Sequence, residues 1–168
     1  MIVIRAERTE DIRSIRAINL ASFPGEGEAN LVDTLRNRGK LTLSLVAEED
    51  TERIGHIAFS RVTLQEQPDL YGLGLGPMAV IPAMQRQGIG SDLLRFGLEE
   101  CVRFRALFVV VLGHRQFYPR FGFRPAKMYG ISCRWRVPDD VFMLLELKQG
   151  VLTGIKGRAS YEPEFDDV

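Results

Sequence analysis

Apolar residues recur along this chain at two different periods, and the changes of period outline its elements. Residues 2–6 alternate weakly and predict a short strand. Ile12, Ile15 and Ile18 then fall on one side of a helix, with Thr9, Glu10 and Asp11 ahead of it as cap and first-turn acids. Phe23-Pro24-Gly25 breaks that helix. A second helix is predicted from about Glu28, turning Leu31, Val32 and Leu35 toward a core, with Arg36 and Arg38 near its negative end and Gly39 as its stop. Residues 41–48 and 53–64 read as a hairpin, because apolar β-formers flank the charged turn 49–52. Residues 70–81 predict another strand, although Gly72, Gly74 and Gly76 weaken it; such glycines mark a bulge or the close approach of another backbone or a ligand. Leu94, Leu98, Cys101 and Val102 sit at helical spacing within residues 91–104, and residues 108–112 form an apolar run with no polar face, suited to a central strand covered on both sides. A short helix or turn around residues 118–121 and strands at 130–136 and 142–147 follow. From Gly150 the chain reads as an extension or frayed tail. The order β-α-α-β-β-β-α-β-α-β-β describes an α/β fold, a mixed central sheet flanked by helices in a single domain. Residues 1–150 are expected to form that domain and residues 151–168 a C-terminal extension associated with it.

Composition narrows the function classes. With 168 residues, 45% of them apolar, the chain suffices for one core. Its 22 basic side chains balance 22 acidic ones, so there is no broad field to draw in a nucleic acid or an anionic membrane, and neither is expected as a partner. The N-terminus lacks a signal-peptide run, and no stretch reaches the roughly 20 apolar residues of a membrane span; a cytoplasmic protein is expected. Cys101 and Cys133 lack CxxC or CxxH spacing and read as buried free thiols. His56 reads as a partly buried structural residue, and neither it nor His114 has a metal-ligand spacing, so no metal site is expected. Trp135 and the phenylalanines read as core.

The segment Gln85-Arg86-Gln87-Gly88-Ile89-Gly90-Ser91 joins a predicted strand to a predicted helix. Unpaired N–H groups at a helix start converge outward and, with the helix dipole, suit a phosphate or pyrophosphate. Gly88 and Gly90 let a ligand approach the backbone. A P-loop requires GK[ST], and Gly90-Ser91-Asp92 is not that. A dinucleotide fold would want glycine where Leu93 stands and an acid about 20 positions on, where residues 108–112 have none.

The arrangement resembles the GNAT superfamily of N-acetyltransferases, whose acetyl-CoA motif [QR]xxGx[GA] is matched by Gln85, Gly88 and Gly90. Gly76-Pro77-Met78-Ala79-Val80 looks like the strand along which the pantetheine arm lies in that family. Leu112-Gly113-His114 with Phe117-Tyr118-Pro119-Arg120-Phe121-Gly122-Phe123 looks like its second motif. Within the superfamily the chain looks most like the YhbS-like group, in which an aspartate often stands where this chain has His114.

That resemblance implies acetyl-CoA as cosubstrate and direct attack by an amine in a ternary complex. It implies cofactor contacts from Met78, Ala79, Val80, Gln85, Arg86, Gln87, Gly88, Ile89, Gly90, Ser91, His114, Phe117 and Arg120. Arg120 is otherwise read as capping its turn. Tyr118 is the expected acid for the departing thiolate, since a phenol with pKa about 10 is protonated at neutral pH. Glu28 is the candidate base, with a first-turn acid stabilising its helix as the competing reading, and Glu26 shares the ambiguity. The acceptor is an amine, on a small molecule or a protein. A noncatalytic acyl-CoA-binding sensor is the alternative, and the apolar strand at 142–147 is where a second copy would pair in a homodimer.

Overall fold

A computed structural model describes all 168 residues. Nine strands and three α-helices succeed one another along the chain: β1 (Ile2–Ala6), α1 (Ile12–Ser22), α2 (Gly27–Asn37), β2 (Leu41–Glu49), β3 (Glu52–Leu64), β4 (Gln67–Val80), α3 (Ile89–Arg103), β5 (Phe108–Leu112), β6 (Arg124–Pro125), β7 (Ile131–Cys133), β8 (Phe142–Glu146) and β9 (Gly157–Ser160). They follow the expected order as far as β5, after which only a single 3-10 turn stands at Tyr118–Phe121 and two short strands, β6 and β9, are added. Contacts divide them into two compact units. One comprises Met1–Ser60, Gly76–Glu100 and Pro163–Val168; the other comprises Arg61–Leu75 and Cys101–Glu162.

In the first unit β1, β2 and the start of β3 form an antiparallel meander. The two faces of β2 and β3 are covered differently. Val46 packs with Ile15 of α1 and Val32 of α2, whereas Ile57 and Phe59 point the other way, to Gly97 of α3, where an added Cβ would stand 2.8 Å from the Phe59 ring. Gly55 plays the same part opposite Leu93. The small residues therefore set how closely α3 lies on the strands.

The predicted cap before α1 is more than a cap. Asp11 is fully buried and accepts bonds from Arg5 (2.7 and 3.1 Å), from Arg53 Nε (2.7 Å) and from the Arg8 N–H (2.7 Å). The Arg5 guanidinium above all holds the Asp11 carboxyl far below its usual range. A second chain of polar contacts runs from Arg36 to Glu7 (2.7 Å), from Glu7 to Ser44, and from Ser44 to His56 Nε2 (2.8 Å). His56 is fully buried rather than partly so, and desolvation pushes its pKa down to about 4.

In the second unit β5 is the central strand expected from its apolar run. It pairs parallel with Gly72–Leu75 of β4 and antiparallel with β8. Gly72 and Gly74 of β4 are explained by aromatic rings, not by a ligand: a Cβ on Gly72 would stand 2.1 Å from Phe108, and one on Gly74 would stand 2.6 Å from Tyr161, whereas Gly76 has φ +143° and open space around its Cβ position.

Four expectations are corrected here. Part of the edge offered for pairing at β8 is taken, since β6 pairs with Met143 and Leu144. The tail is not frayed, because β9 pairs with Thr63 and Leu64 of β3 and with β7. In the first unit Glu164 of the tail is bound by Arg38 and Lys40, which hold its pKa down to about 2. Finally, Phe59, Phe108 and Phe123 are core, but Phe104 is exposed at the end of α3, Trp135 is only partly covered, and Cys133 is half-buried.

Candidate functional site

The predicted loop lies in the first unit between β4 and α3. After a single-turn helix at Pro82–Met84, residues 85–88 are exposed and α3 begins at Ile89. The first bond of its opening turn runs from the Asp92 N–H to the Gly88 carbonyl at 3.0 Å. The N–H groups of Ile89, Gly90 and Ser91 precede that bond and are left without a partner inside the helix. Together with the positive end of a 15-residue helix they form an anion cradle.

The two glycines differ. Gly88 has φ +86°, a left-handed conformation that L side chains resist. Gly90 is an ordinary helical residue, and a Cβ there would meet nothing nearer than Val80 Cγ2 at 4.0 Å. Nothing lies within 4 Å of a Cβ on Gly88. The surface over the cradle is therefore open. Arg86 is also left-handed, with φ 64°, and is exposed.

Gln85 is the brace of the loop. Its side-chain amide donates to the Val80 carbonyl at 2.9 Å. The Ser22 hydroxyl, at the end of α1, lies 3.1 Å from the same carbonyl and 2.7 Å from that of Ile18. Ser22 was missed by sequence reasoning, and no local pattern marks it. At the end of β4, Met78 and Val80 are half-exposed while Ala79 is buried, and the Ile81 N–H bonds to Ile54 at 2.9 Å. Glu28 stands half-buried in the first turn of α2, with Glu26 as the N-cap, so the structural reading of Glu28 has its geometry.

The remaining site residues belong to the second unit. Tyr118 opens a single-turn helix at Tyr118–Phe121 and is 5% exposed. Its ring meets Phe117 and Phe123 edge-on at 5.0 and 5.6 Å. Gly113 must lack a side chain, because a Cβ there would lie 2.3 Å from the Tyr118 ring. Burial pushes the Tyr118 phenol up to about 12, so it keeps its proton at neutral pH. The exposed His114 supplies its carbonyl to the N–H groups of Phe117 and Tyr118. Arg120 stacks over Phe117, 4.8 Å from the ring centre, and its Nε donates to the Phe117 carbonyl at 3.4 Å, which is the turn-capping role.

Comparison with known proteins bears on the same segments. Residues 41–125 match a family described as an acetyltransferase (GNAT) domain. The chain is 37% identical over 165 residues to the uncharacterized N-acetyltransferase YhbS of Escherichia coli K12, covering 98% of each. Its structure superposes on that of Escherichia coli YhbS in complex with CoA with a TM-score of 0.94, at 36% identity, covering 98% of this chain and 92% of the other. A GNAT family acetyltransferase from Brucella melitensis in complex with acetyl-CoA gives a TM-score of 0.82 at 35% identity, covering 99% of each.

Proposed function

The chain belongs to the GNAT family of acetyltransferases, and from that premise we propose that it binds acetyl-CoA at residues 85–91 and passes the acetyl group directly to an amine. The observation that carries this reading is the cradle: three helix-start N–H groups beside two glycines whose outer faces are open. Pyrophosphate is the part of CoA whose charge and size suit such a donor set. Arg86 and Gln87, exposed on the same loop, add charge and a hydrogen-bonding amide. The CoA and acetyl-CoA complexes of the two relatives support the same assignment.

The chemistry asks for little beyond positioning. The amine attacks the thioester carbonyl as a neutral nucleophile, the C–N bond forms, the C–S bond breaks, and the proton lost by nitrogen balances the one gained by sulfur. In this reading the backbone N–H groups of Met78, Ala79 and Val80 hold the pantetheine arm and the carbonyl oxygen, with Val80 kept in place by Gln85 and Ser22. Tyr118 donates a hydrogen bond to the departing sulfur. Its raised pKa keeps the phenol protonated while it stabilises the developing thiolate, and the proton that sulfur finally takes comes from solvent, to which the amine's proton is passed. Phe117, Arg120 and His114 form the wall around Tyr118, and Glu28 is the carboxylate assigned to receive the amine proton through water. Residues 151–168 belong to the same catalytic domain. A noncatalytic sensor is not favoured, since the relatives are named as N-acetyltransferases.

Calorimetric titration of the chain with acetyl-CoA tests the cradle. One site per chain is expected, abolished by Gly88→Asp, which puts a like charge and a strained residue where the pyrophosphate belongs. Wild-type chain that fails to bind, or a variant that binds as well, removes the assignment.

A further inference from the structure

A cleft of about 320 Å³ opens in the second unit between the turn carrying Lys127 and the segment from Ile131 to Phe142. That size suits a small molecule. One wall is Trp135, whose indole is fixed from two sides. The Arg134 guanidinium stacks 4.5 Å from its ring centre, and the Tyr161 ring lies 5.1 Å away. Arg134 is itself pinned, donating to the carbonyls of Tyr161 (2.7 Å) and Glu162 (3.2 Å). The aromatic wall is thus ordered before any ligand arrives, which lowers the entropy lost on binding.

A short chain of contacts links the lining of the cleft to Tyr118, which does not itself line it. Phe142, one of the lining residues, pairs with Leu112 of β5. The next residue, Gly113, donates to the Val141 carbonyl at 3.0 Å and carries the Tyr118 ring against its Cα. Tyr161, behind Trp135, has its ionisation opposed by burial first and then by the neighbouring Cys133 and Tyr118. The charges around the opening are unequal. Lys127 is paired with Asp139 at 3.1 Å, whereas the exposed Arg136 meets no carboxylate of this chain. The opening therefore carries an uncompensated positive charge facing an aromatic wall.

We propose that this cleft receives the acceptor, and that the acceptor is a small amine bearing a carboxylate on an apolar or aromatic body. The carboxylate pairs with Arg136 in the planar geometry that guanidinium favours, and the body lies on Trp135. The amine is left to point inward, toward Tyr118. A polyamine is disfavoured, because each of its charges would meet Lys127 and Arg136 against the single carboxylate of Asp139. The assignment rests on the acetyl-transfer reading for the identity of the reaction, but occupancy of the cleft is measurable without it.

Trp135 is the only tryptophan of the chain, so its emission reports the cleft directly. The full chain, without acetyl-CoA, is titrated with L-phenylalanine, with 2-phenylethylamine and with spermidine, exciting at a wavelength only tryptophan absorbs. L-phenylalanine is expected to shift the emission saturably at a concentration at least about tenfold below that of 2-phenylethylamine, the worth of one charge-assisted pair. Arg136→Gln should bring the two within about threefold, the remaining wall contacts being shared. Spermidine should leave the emission unchanged. Equal or tighter binding of 2-phenylethylamine or spermidine, a preference that survives Arg136→Gln, or no saturable change at all overturns the proposal. Thiol release from acetyl-CoA with L-phenylalanine should follow, Arg136→Gln raising KM and leaving kcat unchanged. Occupancy without acetylation, in chain shown by calorimetry to bind acetyl-CoA, overturns the acceptor role. Failure to bind acetyl-CoA strikes the cradle and leaves the fluorescence result standing.

Discussion

The side-chain amide of Gln85 donates to the main-chain carbonyl of Val80 across 2.9 Å, tying the first residue of the loop to the last residue of the strand before it. Ser22 approaches the same carbonyl. The first position of the [QR]xxGx[GA] motif thus acts on this chain's own backbone, and its effect on a ligand is through the shape of the loop. Gln85→Ala removes a partly exposed hydrogen bond worth about 1 kcal/mol. Acetyl-CoA affinity should fall about fivefold by calorimetry, with little change in thermal midpoint. An unchanged affinity would make Gln85 dispensable to the loop.

Gly88 and Gly90 should respond differently to the same added methyl group. Gly88→Ala forces a left-handed alanine, at a cost of about 1–2 kcal/mol, and the loop can escape the strain by moving. At least about tenfold weaker acetyl-CoA binding is expected. Gly90→Ala meets no internal clash and improves helix propensity by up to about 1 kcal/mol, so binding should stay within about threefold and the thermal midpoint should rise. Equal losses at both positions would mean that ligand approach, not backbone conformation, sets both glycines.

Tyr118→Phe keeps the ring between Phe117, Phe123 and Gly113 and removes only the hydroxyl. Turnover should fall at least about tenfold, about 1.4 kcal/mol of barrier, with acetyl-CoA affinity nearly unchanged. Steady-state kinetics beside calorimetry separates the two, and unchanged turnover would return Tyr118 to packing.

Stability should fall on mild acidification because of His56. Its folded pKa, about 4, lies below the unfolded value of about 6.5. Between those limits the unfolded chain binds a proton that the folded chain refuses, so the stabilisation is complete above pH 6.5 and is lost as pH falls toward 4. The carboxyls of Glu7, Asp11 and Glu164 are held below their usual range and act at lower pH. The urea midpoint should drop by about 0.5–1 M from pH 7.5 to 5, and His56→Gln should flatten that slope. A slope unchanged by the substitution would place the titration elsewhere.

What the sequence disclosed depended on whether local pattern or distant contact decided the matter. Helices α1–α3, the β2–β3 hairpin and the buried β5 strand were legible because period and turn chemistry act over a few residues. The loop was legible because Gly88 and Gly90 fall at the start of α3. The purpose of Gly72 and Gly74 was not, since Phe108 and Tyr161 come from 36 and 87 positions away. The order of the tail was equally hidden, because its strand is defined by Thr63 and Leu64 and its acid by Arg38 and Lys40. Likewise Trp135 reads as core by residue type, and only the placement of Arg134 and Tyr161 around it leaves one side on a cleft.

Release of free CoA thiol from acetyl-CoA, followed with a panel of amines, tests acetyl transfer most directly. Release that depends on an added amine, saturates with it and falls at least about tenfold in Tyr118→Phe is the predicted result. Tight acetyl-CoA binding with no amine-dependent release across the panel would contradict the account and leave a binding module in place of an enzyme.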